Sequence, residues 1–141
     1  MGRYTSYALL AAEFGDDNVL GWANVQNEAI TAGVPTTAQQ AAIDAAITRA
    51  ENSLHEQLWP AYDVPFGIAH PSVVAAATRL TAVELYIGMR GARSEGRNAQ
   101  ISLALELTDK WVRSVVDGRQ PILASGGGVV ARAEKANSLP G

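Results

Sequence analysis

A chain of 141 residues without cysteine has the length of one domain, enough to build a core without staples, and the missing thiols exclude thiol catalysis, disulfides and zinc–thiolate sites. A net charge of −3 is too mild for a dedicated nucleic-acid binder, whose domain is normally strongly basic. The charge is uneven: residues 1–70 hold eight Asp/Glu against two Lys/Arg, hence −6, and residues 71–141 hold six against nine, hence +3, which reads either as chance variation of helix surfaces or as an acidic flank meeting the basic flank of a neighbouring copy.

No stretch approaches the roughly 20 apolar residues of a membrane span and no export signal opens the chain, so it is expected to be soluble and unexported. Thr5 or Ser6 can cap a first helix with Tyr7, Leu10, Ala11 and Phe14 inward, and Gly15 stops it. Asp16, Asp17 and Asn18 offer caps for a short second helix holding Val19, Leu20, Trp22, Ala23 and Val25. From Gln26 to Val34 the pattern is weak, because Asn27, Thr31 and Gly33 disfavour helix. Pro35, Thr36 and Thr37 mark the next start, and Ile43, Ile47, Ala50, Leu54 and Leu58 recur at helical spacing up to Trp59. The opposite face reads as polar and carries His55, with Glu51 one turn before it.

Residues 59–91 organise the rest. Pro60, Pro65 and Pro71 stiffen an approach loop in which Tyr62, Asp63 and Val64 are extended or turning, with Trp59, Tyr62 and Phe66 as apolar anchors. Pro71 then opens a helix that Gly91 ends. One line of that helix is Val73, Ala77, Leu80, Val83 and Ile87, and a second is Val74, Thr81, Leu85 and Gly88, so it needs two neighbours and is central. Arg79 and Glu84 interrupt it and call for pairing. An exposed Gly/Ser/Arg-rich turn follows, with Arg90, Arg93 and Arg97 as the densest cationic patch. Solvated loop, protein contact and DNA phosphate contact are its three readings.

Asn98 can cap the final helix, which carries Ile101, Leu105, Thr108, Val112 and Val115 and ends at Gly118. The sequence therefore predicts an all-α small bundle over residues 1–118, two short helices and three long antiparallel ones, and an extended or hairpin arm over 119–141. In the arm, Ile122-Leu123 and Val129-Val130 flank Gly126 to Gly128. Such a ribbon orders by adding to the helical body or to a partner, and the other reading of the segment is a frayed terminus with no role.

Chemistry is sparse in this sequence. His55 and His70 lie in separate settings, Asp16-Asp17 lacks the remaining ligands of a calcium loop, and the triple glycine precedes no Lys-Ser/Thr. No catalytic residue, cofactor or metal site is assigned.

The order Tyr4, Leu9, Phe14-Gly15, Leu58, Tyr62, Pro65, Pro71, Leu85-Tyr86, Gly118 and Leu123 resembles the small head-to-tail joining proteins of tailed phages, in particular the Mu-type family. The resemblance implies a virion neck protein assembled in the host cytoplasm: a ring of identical copies, commonly twelve, beneath the portal protein. It would link the portal to a stopper or tail-terminator protein, with genomic DNA in the lumen and no membrane contact. Partner contacts are then expected at Arg90, Arg93, Arg97, Arg119, Ile122, Leu123, Val129, Val130 and Arg132, with the arm from Arg119 onward ordering on docking. Tyr62, Asp63, Pro65, Phe66 and Pro71 form a structural loop. A helical DNA-binding packaging protein, like a small terminase subunit, is the alternative, and a helical enzyme or regulator with a ligand pocket is a third.

Overall fold

The computed structural model describes residues 2–90, with only the backbone of Arg90, and residues 99–134. Five helices follow in order: α1 (Tyr7–Phe14), α2 (Asp16–Ala23), α3 (Thr37–Leu58), α4 (Pro71–Arg90) and α5 (Ala99–Val116). The fold is all-α. Among the described residues β pairing is confined to two isolated bridges, Thr31 with Val34 and Leu123 with Val129.

Local chemistry accounts for the helix ends. Ser6 is the cap of α1 and takes the Leu9 N–H; Thr5 is buried instead and shares a 2.7 Å hydrogen bond with Thr78 of α4. Gly15, at φ +91°, ends α1 and starts α2 in one residue, a conformation that disfavours any side chain. The acidic pair does not cap α2, contrary to expectation, because Gly15 holds that position; Asp16 and Asp17 lie in the first turn, where their charge opposes the helix dipole favourably. Val25 falls beyond the end of α2 and is exposed. Thr36 and Gln39 form a reciprocal capping box on α3, at 3.1 and 3.0 Å. The expected cap Asn98 lies outside the described residues.

Helix α4 touches each of the other four helices, as its two apolar lines require. Its Pro71–Met89 stretch is 19 residues long with mean hydropathy 1.2, enough by length and composition to cross a membrane. That corrects the expectation that no stretch comes close. In the fold, Val73, Ala76, Ala77, Ala82, Val83 and Leu85 are spent on burial, so the hydropathy belongs to a core helix.

The core has two halves along α4. One joins Phe14, Trp22, Ile43 and Ile47 to Val83, Leu85 and Ile101. The other joins Leu54, Leu58, Tyr62 and Phe66 to Val73, Ala77, Val115 and Ile122. Late α3 thus meets early α4, and late α4 meets early α5, which is the antiparallel order.

One further expectation needs correction. Trp59 is 59% exposed, and the buried aromatics of the loop are Tyr62 and Phe66. Glu51, next to the apolar line of α3, is only 5% exposed. Arg79 and Glu84 do pair, with Glu13 at 3.6 Å and Arg49 at 3.3 Å.

Candidate functional site

The loop between α3 and α4 is where distant parts of the chain meet. Helix α3 runs into it without a glycine stop, and Ala61 and Tyr62 close its last turn by donating to the Leu58 carbonyl. Asp63 and Pro65 face solvent, with a cis Val64–Pro65 bond between them, while Tyr62, Phe66 and His70 point inward. Phe66 makes edge contacts with Tyr4 at 6.3 Å and His70 at 5.6 Å, and lies 6.2 Å from Tyr62.

From the N-terminal side, the Glu51 carboxylate accepts the N–H groups of Arg3 and Tyr4 at 3.0 and 2.8 Å. These bonds satisfy a buried carboxylate and fix the direction of the segment. Tyr4 then reaches the loop: its hydroxyl accepts the Phe66 N–H at 3.0 Å and lies 2.7 Å from His55 Nε2. Burial, with a smaller push from Arg3 against a pull from Glu51, holds the His55 imidazole below its ordinary pKa. Burial raises the Tyr4 phenol; the Tyr7 phenol is pushed up to about 12, first by burial and then by its hydrogen bond to Asp16.

From the C-terminal side, residues 119–134 lie on the helical body. Ile122 is fully buried, and Val130 donates to its carbonyl across the Leu123–Val129 bridge. Gly127 and Gly128, at φ +98° and +80°, make the reversal. Ser125 N–H donates to His70 Nδ1 at 3.2 Å, and Ala133 N–H donates to the Ala61 carbonyl at 2.8 Å. Arg132 donates to the Val115 and Val116 carbonyls at 2.9 and 3.0 Å, satisfying the end of α5, while its guanidinium stands 5.7 Å from the Tyr62 ring centre.

The partner residues expected from sequence therefore separate. Ile122 is core, Val130 is half-buried against it and Arg132 is hydrogen-bonded within its own chain. Arg119, Leu123 and Val129 are exposed, the last two at 60% and 62%. Arg93 and Arg97 lie outside the described residues, as does the side chain of Arg90.

A second exposed apolar set lies in residues 24–36. Asn24 takes the Glu28 N–H at 2.8 Å and gives a hydrogen bond to its carbonyl at 2.7 Å, Thr36 donates to the Glu28 carboxylate, and Gln39 donates to Asn24. Residues 25–34 are all exposed, and Val25, Ile30 and Val34 carry the apolar surface. Beside them a groove of about 460 Å³ runs between α3 and α4, lined by Trp22, Ala42, Ala45, Leu85, Ile87 and Met89. The Arg49–Glu84 pair edges it. The weak helical pattern over Gln26 to Val34 thus resolves as a loop, ordered by the Asn24 side chain.

Among the described residues no three His, Asp or Glu side chains gather as a metal site would require. The arrangement is one of internal fastening and outward apolar contact. Compared with known protein families, curated proteins and solved structures, the chain has no match.

Proposed function

We propose that the chain is a structural head-to-tail connector of a tailed phage. Copies form a ring beneath the portal, commonly of twelve, and join it to a stopper or tail-terminator protein, with DNA passing through the lumen. The protein works by adhesion in the virion neck.

The observation that carries this reading is how the residues of the resemblance divide in the fold. Tyr4, Phe14, Leu58, Tyr62 and Leu85 are buried, and Tyr86 packs its ring edge-on to Trp22 at 5.9 Å. They are what a packed body needs. Leu9 and Leu123, the remaining apolar members, are 43% and 60% exposed. Apolar side chains held outward on a rigid body are suited to contacts between proteins rather than to a reaction. The hairpin tip and the 24–36 link add further surface of the same kind.

Loss of the gene from the virus that carries it tests the proposal. The expected result is accumulation of DNA-filled heads without tails, restored by the chain supplied in trans, with antibody labelling at the neck of complemented particles. Normal tailed particles in the knockout would overturn it.

A further inference from the structure

The two terminal segments fasten the same loop, and the fastening has a titratable group at its centre. Tyr4 is the joint on one side. Its oxygen accepts from Phe66 N–H and lies 2.7 Å from His55 Nε2; in the neutral Nδ1–H tautomer Nε2 is bare and takes the Tyr4 proton. A charged imidazole carries hydrogen on both nitrogens. Nε2–H would then face the hydroxyl, and Tyr4 would have to turn its proton into buried surroundings or move away.

The charged and titratable groups facing the ring are Arg3 and Tyr4 from the N-terminal segment and Glu51 from α3 itself; the loop adds the uncharged Phe66 through Tyr4. On the other side, Phe66 rests against His70, whose Nδ1 receives the Ser125 N–H of the hairpin. The ring of Tyr4 thus reaches the hairpin through two aromatic contacts and one hydrogen bond.

We propose that Tyr4 and His55 form a proton-sensitive latch: neutral His55 holds the N-terminal segment on the Ala61–His70 loop, and protonation of His55 loosens that hold and, through Phe66 and His70, the Ser125 contact of the C-terminal hairpin. The hairpin carries Leu123 and Val129, so the loosening reaches an outward apolar surface. The latch stands whether or not the chain is a connector.

Amide hydrogen exchange by NMR on the full chain tests it, at about pH 7.5 and about pH 5, with protection corrected for intrinsic exchange. Phe66 and Ser125 amides are expected to lose protection together on acidification, by about fivefold to tenfold, the scale of one lost hydrogen bond. His70→Gln, which keeps an acceptor that does not titrate, should retain this response. Tyr4→Phe should show weak protection at both pH values. Unchanged protection in the wild type would overturn the latch, and so would a pH response at Ser125 abolished by His70→Gln, because His70 would then be the sensor. Should Tyr4→Phe not fold, the wild type decides: the His55 ring resonances and both amides must share one titration midpoint, and separate midpoints overturn the proposal.

Discussion

Two long links among the described residues, 24–36 and 59–70, are ordered by opposite means. The first is held from within, by the side chains of Asn24, Glu28, Thr36 and Gln39, and it shows nearly all of its residues to solvent. The second is held from outside, by the N-terminal segment through Tyr4 and by the hairpin through Ser125, Arg132 and Ala133, and it buries Tyr62, Phe66 and His70. A link fastened by its own polar groups keeps its apolar side chains free for a partner. A link fastened by the rest of the chain commits Tyr62 and Phe66 to the core and leaves only Trp59 and Ile68 of its large apolar side chains outside.

The sharpest way to break this contrast is to truncate one aromatic in the second link and one aliphatic in the first. Tyr62→Ala should cost about 3–5 kcal/mol in denaturant unfolding, by loss of buried area and creation of a cavity. Val25→Ser should change stability by less than about 0.5 kcal/mol, because its side chain is already in water. Equal costs would remove the distinction. Next in size is Glu51→Ala, which leaves the Arg3 and Tyr4 amides without their acceptor and should cost about 1–3 kcal/mol, with faster exchange confined to the N-terminal segment and the 59–70 loop.

Glycine substitution compares the links at a smaller scale. Gly33, at φ +76°, should lose about 1 kcal/mol on change to alanine, whereas Gly67, with open space around its added methyl and no positive φ, should lose nothing measurable in thermal unfolding. A gentler effect is expected from pH. Since the folded state lowers the His55 pKa, neutral His55 is the favoured form; its contribution is fully present above the ordinary value of about 6.5 and is lost as pH falls through the lowered one. Urea midpoints measured downward from neutrality should therefore decline more in the wild type than in His55→Gln. Parallel curves would show that the ring does not contribute in this way.

Much of the helical layout was readable in the residues. Pro71 at a first turn, Gly15 at a stop and the line Ile43, Ile47, Ala50, Leu54 and Leu58 are local signals, and α1, α3 and α4 appear where such signals place them. The bonds of Glu51 and His55 to the N-terminal segment were not readable, because helical periodicity reports only the regular neighbours of a helix, not a short irregular segment laid across it. Trp59 is the exposed aromatic of the loop: apolarity says that burial is favourable, not how much of it the fold provides. The 119–134 segment lost its helical period in sequence, yet only the docking of Ile122 and Arg132 shows which surface supplies the order a lone hairpin lacks.

By itself the sequence determined what depends on neighbours a few positions away: an all-α chain, the starts of α1, α3 and α4, a central helix with two apolar lines, and a proline-marked loop. Tertiary structure alone decided what depends on residues 47 to 62 positions apart, namely the seat of Tyr4 on Glu51, His55 and Phe66. It also decided which apolar side chains remain outside. The physical reason is that spacing encodes a helix face, whereas a hydrogen bond between distant segments exists only after packing has brought its donor and acceptor within about 3 Å.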